Sequence, residues 1–490
     1  MIHELLRNTA NNHPDKIALI GETRTLTYRE LLDESARAAA LLNSLGCKPG
    51  DRLLLGIPPS PEFHLLFFAA AALGLVTIPV LPSGKISQVV VDAAPRIAAG
   101  SAPFLAFVRQ YCPTLEHELL WKENEGLDLP LHIGPFIRDR IFTDEKMFAV
   151  SSSGTTGEPS LYLRSPESLI RRVVVRSQAY GFRSNDVFFT TRPYVSGSAI
   201  NNHVMAPAHL GCPIVVQPRF ERMKAAAAIS RHRVTVLYAV PFIFEVLGSI
   251  PRSYHFDFSA LRLCISGSGA MAPVVAQQFE NRFGKSINLR YSGSHFHPAF
   301  TFNADGPPPC VGRVDGMFPV VILDDGSRAL GPAQIGEVAF DIERAPADYC
   351  ELLQSNPCSR GRYLYTGDLG RMDEAGNLYI VGRKSLFIKV AGNRVEPAEV
   401  ESVLCSHPAV REAVVFPLNR GQTDETVAAA VITHETLSYE NLFRYCKEKL
   451  DPYKCPRKIE FVSDLPRSDH GKVVRHLVEA TFGARREESR

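Results

Sequence analysis

The 490-residue chain lacks any apolar run long enough to cross a bilayer as a helix. Its longest such run, Phe63–Val76, contains His64 and falls short of the roughly 20 residues required, so a buried helix is expected there. The N-terminus, Met1 to Asn8, has no basic region followed by an apolar one, and no secretion signal is read from it. Charge of either sign is not in surplus: 54 Lys and Arg against 52 Asp and Glu leave +2, which gives no reason to expect nucleic acid or a membrane surface as partner. No two of the ten cysteines stand in Cys-x-x-Cys spacing, which argues against a zinc or disulfide framework and for reduced packing residues in a cytoplasmic protein. No internal repeat is evident, and 45% hydrophobic with 22% charged residues leaves no bias toward disorder. The length then implies a large core and more than one domain.

What is present begins with residues 151–160, Ser-Ser-Ser-Gly-Thr-Thr-Gly-Glu-Pro-Ser. Small hydroxyl residues and glycines bury little; they offer backbone N–H groups, O–H donors and positive φ, the parts that wrap phosphate oxygens. No Gly-Lys-Ser/Thr closes the loop, so it is not a Walker-type loop. The flanks 147–150 and 161–164 read as strands, making the loop a hairpin tip; a flexible Gly/Ser linker is the plainer reading of the same composition.

Helix and strand patterns alternate along the first half. Thr27-Tyr-Arg-Glu30 is a capping box for a helix reaching Leu45, with Gly46 behind it. Further helices are predicted at 61–73, 167–180, 199–210 and 221–231, interleaved with strands at 51–57, 76–80, 186–191, 213–217 and 234–239. This order predicts a parallel sheet covered by helices. Beyond about residue 305 Gly and Pro become dense and strands short, and a small segment with its own strand–helix order starts at 382–385. The expected domains are 1–384 and 385–490.

Five more segments carry residues that packing alone would not choose: Ser266-Gly-Ser-Gly-Ala-Met-Ala-Pro273 after a strand, Tyr291-Ser-Gly-Ser-His295, Tyr365-Thr-Gly-Asp-Leu369, Gly382 to Gly392 with its basic residues, and Pro466-Arg-Ser-Asp-His-Gly-Lys-Val-Val-Arg475. Turns at the carboxyl ends of strands are where open α/β sheets collect ligands. In order and spacing, together with Leu26–Glu30, Val311-Gly-Arg313 and Gly336-Glu-Val338, they resemble the AMP-forming adenylate-forming superfamily of acyl-CoA synthetases, peptide-synthetase adenylation domains and luciferases.

The resemblance covers nearly the whole chain. It implies an α/β fold, with a large N-terminal domain of helix-covered sheets and a small mobile α+β C-terminal domain hinged near Ser385. A carboxylate would attack the α-phosphate of ATP, giving acyl-AMP and pyrophosphate; a thiol of CoA or of a carrier protein's phosphopantetheine arm would then displace AMP. Ser152, Ser153, Gly154, Thr155, Thr156 and Gly157 would hold phosphates. Ser268, Gly269 and Ala270 would face the adenine edge, Tyr291 with Ser292, Gly293 and Ser294 its ring, and Asp368 with Arg383 the ribose. Lys472 would be catalytic, its ammonium placed where carboxylate and α-phosphate crowd negative charge together. Lys389 and Gly392 would belong to the thiol-acceptor loop, and Mg2+ would accompany ATP. Considered alone, Asp368 reads as a turn residue, Tyr291 as strand-end packing and Lys472 as a solvated loop lysine.

Four positions depart from the family pattern. Ser160 stands where a lysine usually closes the phosphate loop, and His295 where a glutamate usually sits near magnesium. Histidine is a poor magnesium ligand; His295 and His297 form a His-x-His pair that suits a transition metal or, more simply, the acyl pocket. Ser385 replaces the usual Asp or Lys of the hinge, and Pro193-Tyr-Val-Ser196 replaces the Pro-Leu-Phe-His stretch of fatty acyl and aryl ligases. Amino-acid-activating relatives carry an aspartate near the start of the helix at about 198; Ser196 to His203 has no acid, so the substrate is expected to be a small carboxylic acid other than an α-amino acid. Candidate pocket residues are Tyr194, Ser198, Asn201, Asn202, Tyr238, Phe242, His295, Phe296 and His297. No carrier domain follows Lys472, so any acyl carrier protein would be a separate chain. Two other readings stay open: a degenerate relative that binds nucleotide or acyl ligand without turnover, and a ligase that delivers the acyl group to an amine.

Overall fold

Thr27 opens the helix Tyr28–Ser44 with a complete capping box, its hydroxyl accepting from the Glu30 N–H while the Glu30 carboxylate accepts from the Thr27 N–H. Gly46 follows at φ 76°, the left-handed conformation that ends a helix without steric cost. The expected apolar helix is Pro61–Leu73, capped by Ser60 and buried almost all round. These observations come from a computed structural model that describes residues 2–81, 86–123, 125–127, 148–151, 161–267, 269, 271–291, 301–302, 310–314, 319–344, 358–384, 388–390, 393–419, 425–467 and 473–483.

Two compact units divide the chain: Met1–Ala239 with Ile250–Cys264, and Val240–Ser249 with Ile265–Arg490. In the first, strands Arg52–Gly56, Val76–Pro79, Ile97–Gly100 and His117–Lys122 run parallel beside Phe148–Ser151. That last strand pairs antiparallel with Leu161–Arg164, Ser151 opposite Leu161, so the phosphate-loop candidate does join a hairpin; its tip, 152–160, lies outside the described residues. A second sheet in this unit runs Val236–Ala239, Phe188–Thr190, Ile214–Val216, Ile17–Ile20 in parallel order, with Thr25–Thr27 antiparallel at the edge. The expected parallel, helix-flanked architecture is therefore present. Its inner strands Val76–Pro79 and Ile97–Gly100 are buried along their whole length, as cover on both faces requires.

The helix expected at 199–210 forms in three pieces: Gly197–Ile200, a π-helical turn Asn201–Met205, and Ala206–Leu210. Pro207 has no N–H for the carbonyl of His203, and its ring crowds that carbonyl in α geometry; the widened turn relieves both.

Asp186, 1% exposed, closes the start of the second sheet. It accepts from Arg262 Nε at 2.8 Å and Thr235 Oγ1 at 2.7 Å through one oxygen, and from the Arg183 N–H at 2.7 Å and the second Arg262 nitrogen through the other. Burial disfavours the charged carboxylate, but the Arg262, Thr235 and Arg183 donors outweigh it and hold the carboxyl below its ordinary range. A folded value below the unfolded one makes a contribution that is full above the unfolded pKa, near 4, and lost as pH falls through the folded value. Asp186→Asn should therefore cost about 3 kcal/mol at neutral pH. Urea midpoints at pH 7 and near pH 3 should show the gap to the parent chain narrowing in acid, and an undiminished gap would refute the ion-pair account.

The second unit holds an antiparallel sheet ordered Thr301–Phe302, Cys310–Val314, Asn377–Arg383, Tyr363–Met372, Gly336–Asp341, Val320–Leu323. Further along, Val410–Leu418, Thr426–Thr433 and Lys458–Phe461 make a three-stranded sheet with a core on each face. Ala413, Val415, Val427, Ala429 and Val431 pack with Val400, Leu404, Leu442 and Cys446, whereas Val414, Phe416, Ala428, Ala430 and Ile432 pack with Val478 and Phe482. This period-two division gives the C-terminal segment an interior of its own. The boundary expected at 382–385 falls within the second unit, and 385–387 lie outside the described residues. The described cysteines are free thiols. No helix among the described residues is long and apolar enough to cross a membrane.

Candidate active site

The carboxylate of Asp368 is placed by a glycine turn. Gly367 sits at φ 74°, which a side chain would strain, and Thr366 anchors the turn by donating to the Val338 carbonyl at 2.7 Å and accepting from the Asp368 N–H at 3.1 Å. Asp368 lies opposite Arg383 in the strand register and is 7% exposed. Its Oδ2 accepts from the Tyr291 hydroxyl at 2.5 Å and its Oδ1 from Arg383 Nε at 2.6 Å. Three candidates from widely separated segments, at 291, 368 and 383, thus meet at one carboxylate. Burial, reinforced by the Asp368 charge, pushes the Tyr291 phenol well above its ordinary pKa, so it stays a neutral donor. Each carboxylate oxygen keeps lone-pair capacity beyond these contacts, which two vicinal hydroxyls can use.

Ser266 ends the strand Leu263–Ser266 and begins the expected adenine-edge turn; its hydroxyl is buried with no hydrogen-bond partner. An unsatisfied group at a strand's carboxyl end fits a ligand that brings its own polar edge. Gly269 in that turn faces Pro241, a Cβ there lying 3.6 Å from the proline ring, and Phe242 follows in the helix Pro241–Gly248. Ser268, Ala270 and Ser292 to His297 lie outside the described residues, as do Ser152 to Gly157, Ser385, Gly392 and Lys472.

The ends of the Lys472 loop are nonetheless held together. Arg467 and Val473 form an antiparallel bridge, and the Val474 N–H donates to the Pro466 carbonyl at 2.8 Å. Arg475 grips Glu401 with both guanidinium nitrogens, at 2.6 and 2.7 Å, and Arg467 pairs with Glu412. Residues 466–467 and 473–475, on either side of Lys472, are therefore tied to one another and to the helix Pro397–Cys405 and strand Val410–Leu418. Lys389 lies exposed in the hairpin Ile388–Val390/Asn393–Val395, its N–H donating to Glu425 at 2.9 Å.

Glu337, within the Gly336-Glu-Val338 motif, has a connection that the sequence does not announce. One oxygen accepts from the Gly367 N–H at 3.2 Å and the other from Lys384 Nζ at 2.8 Å, linking the turn that presents Asp368 to the residue before the candidate hinge. That hydrogen bond, with a second to Asp325, raises the Lys384 pKa above its ordinary value. Nothing short of the folded register could have revealed this connection.

The acyl-pocket candidates of the first unit also converge. Ser198 Oγ lies 3.1 Å from the Tyr238 hydroxyl, and Asn202 Nδ2 donates to the Ser198 carbonyl at 2.8 Å and to its hydroxyl at 3.2 Å. Tyr194 packs between Phe63 and His64, with ring centroids 4.7 and 5.3 Å away. Asn201 is buried beside them in the π turn. Two histidines that were not singled out join the cluster: His203 Nε2 lies 3.2 Å from the Tyr238 carbonyl, and His64 Nε2 lies 3.3 Å from the His203 carbonyl. Burial, with Arg192 nearby, pushes the His203 pKa down to about 3, so the ring is neutral. Among the described residues no group of three or more His, Cys, Asp or Glu side chains is placed to hold a metal ion.

Comparison with known proteins bears on the same residues. The model of the AMP-binding enzyme family matches residues 6–341, and that of the AMP-binding enzyme C-terminal domain matches 399–472, ending on Lys472. The chain belongs to the AMP-binding enzyme family, and with it to the adenylate-forming superfamily: an α/β protein with a large N-terminal and a small C-terminal domain. It is an AMP-forming acid–thiol ligase, activating a carboxylic acid as acyl-AMP and passing it on as a thioester. A medium-chain fatty-acid–CoA ligase of Escherichia coli strain K12 is 27% identical over 96% of this chain and 88% of its own length. ATP-bound MatB from Rhodopseudomonas palustris superposes with a TM-score of 0.86 at 22% identity, covering 99% of each chain. The anthranilate CoA ligase AuaEII in complex with anthranoyl-AMP gives 0.84 at 24% identity, covering 98% of this chain and 96% of that one.

Proposed function

We propose that Tyr291, Asp368 and Arg383 bind the nucleoside of ATP and that Lys472 serves the adenylation step for a small carboxylic acid other than an α-amino acid. The observation that carries the assignment is the shared carboxylate: Asp368 is fixed at both oxygens by Tyr291 and Arg383 yet keeps acceptor capacity for the ribose hydroxyls. Arg383 also puts a fixed positive charge beside the nucleotide. The substrate carboxylate attacks the α-phosphorus, the bond to the β-phosphate oxygen breaks, and pyrophosphate leaves. A thiol of CoA, or of a separate phosphopantetheinyl carrier protein, then attacks the acyl carbon, and AMP leaves. Lys472 stabilises the negative charge crowded together in the first step only.

The phosphates fall to the loop from Ser152 to Gly157, and the thiol to the hairpin that holds Lys389 and Gly392. A swing of the small domain about Ser385 brings either Lys472 or that hairpin into use, within the cytoplasm. Magnesium arrives as counter-ion of the ATP phosphates. The absence of an acid between Ser196 and His203 supports exclusion of α-amino acids, since nothing there would pair an ammonium group. The test is pyrophosphate release from ATP with a panel of carboxylic and amino acids, trapping the adenylate with hydroxylamine and scoring the product with CoA, carrier protein and amines. Acid-dependent release with a thioester product is the expected outcome. Nucleotide binding without release under any acid would leave a binding protein instead, and brisk turnover of an amino acid would overturn the substrate assignment.

A further inference from the structure

We infer that Glu337 is a positioning residue for nucleotide binding, acting through Asp368 and itself held in place by Lys384. The inference rests on the reading that Asp368 takes the ribose hydroxyls of ATP.

The starting observation is a break in the sheet register. Strand Tyr363–Met372 pairs with Gly336–Asp341 so that Leu369 faces Glu337 and Tyr365 faces Ala339, with the register shifting in between. Thr366, Gly367 and Asp368 therefore stand opposite Val338 alone, in a bulge of the kind that re-aims a side chain. Asp368 takes its direction from this bulge and not from a regular ladder. Three features shape it. Gly367 supplies the positive φ of 74°. The Thr366 hydroxyl donates to the Val338 carbonyl at 2.7 Å and accepts from the Asp368 N–H at 3.1 Å. The Gly367 N–H donates to Glu337 Oε1 at 3.2 Å. That last contact reaches over from the neighbouring strand as a side chain, so the middle of the bulge depends on where the carboxylate is held.

Packing does not account for a glutamate at this position. The strand Gly336–Asp341 is buried along its whole length, and a carboxylate there carries a desolvation cost that a valine, as at 338, would not. Its second oxygen accepts from Lys384 Nζ at 2.8 Å, and the same ammonium lies 3.0 Å from Asp325. Asp325 belongs to the turn whose Ser327 hydroxyl lies 2.7 Å from the Tyr365 hydroxyl, one residue before the bulge. Lys384 is thus held between the buried carboxylate and this turn. Two consecutive cations take the two carboxylates separately: Arg383 pairs with Asp368, and Lys384 with Glu337. Asp368 is fixed at its side chain by the first pair and at its backbone by the second. Hydrogen bonds weaken steeply when misaligned, so a loosened bulge would show first as poorer recognition of the ribose hydroxyls.

The test measures binding of ATP and of 2′-deoxy-ATP to the full-length chain by calorimetry. Glu337→Gln keeps the shape of the side chain but offers one acceptor where two are needed. It should weaken ATP binding about tenfold and 2′-deoxy-ATP binding far less, so the preference for ATP falls several-fold. Lys384→Met should shift both affinities in the same direction, and Lys384→Arg, which keeps the charge, should restore most of the loss. The deciding measurement is a double variant. In an Asp368→Asn background, Glu337→Gln should change ATP affinity by less than about twofold, because the group it positions is already lost. A full tenfold loss in that background would overturn the inference, as would a single variant whose preference for ATP is undiminished. Thermal midpoints recorded alongside separate the roles: a lower Tm with the ATP preference unmoved would make Glu337 structural only, which also overturns it. If Asp368→Asn by itself leaves the preference whole, the ribose reading fails and takes this inference with it, a pattern distinct from additive losses in the double variant.

Discussion

Replacing Lys472 with alanine is expected to slow acid-dependent pyrophosphate release by about three orders of magnitude while leaving AMP affinity within a few-fold of the parent. The argument is electrostatic. In the adenylation step a carboxylate approaches a phosphate that is already anionic, and an ammonium aimed at that point is worth about 4 kcal/mol of barrier, or a thousandfold in rate. Such a charge acts on the crowded transition state, so binding of AMP alone should barely register its loss. The loop's ends are fixed by the Arg467–Val473 bridge and the Arg475–Glu401 pair, and removing one side chain between them should not disturb the small domain. Supplying preformed acyl-AMP with CoA bypasses the step, and the variant should then make thioester at near the parent rate. Equal release by variant and parent would refute the assignment, and so would an equal loss in both half-reactions.

Much of the fold was legible because its signals are local. The capping box at Thr27 and the proline-started helix at 61–73 each depend on residues within a few turns. The expected phosphate-loop hairpin likewise shows its two strands in register. Where sequence reading failed, the cause was long-range or steric. A single helix was expected at 199–210, but Pro207 forced a π turn that no apolar periodicity announces. Glu337 looked like an ordinary strand residue, since its bond to Lys384 spans 47 positions of sequence. His64 sat in an apolar run as if it were an interruption; in the fold it is a buried partner of Tyr194 and the His203 carbonyl. The candidate site shows the same pattern. Order and spacing singled out Tyr291 and the pair Asp368 and Arg383 as candidates; strand register sets Asp368 opposite Arg383, and the Tyr291 hydroxyl reaches the same carboxylate from a separate segment.

That shared carboxylate makes Asp368→Asn a larger perturbation than the loss of one charge. Both groups that now donate to Asp368, the Tyr291 hydroxyl and the Arg383 guanidinium, require an acceptor. An asparagine supplies one oxygen; if that faces Arg383, its NH2 meets the Tyr291 hydroxyl, which must give up donating and accept instead, and the reverse orientation sets NH2 against the guanidinium. Arg383 keeps its charge in a half-buried position with its anionic partner gone, and the ribose hydroxyls meet one acceptor in place of two. Nucleotide affinity should fall by about a hundredfold, equivalent to roughly 2.7 kcal/mol, in line with the loss of charge-assisted hydrogen bonds. Tyr291→Phe is the gentler control, since it deletes one donor and leaves the Arg383 pair intact. Its expected cost is about tenfold or less. Calorimetry with ATP and 2′-deoxy-ATP separates ribose recognition from general damage. The parent and Tyr291→Phe should both prefer ATP, while Asp368→Asn should bind the two nucleotides nearly alike. A variant that bound weakly yet kept the full preference for ATP would show that the ribose hydroxyls are read by some other residue.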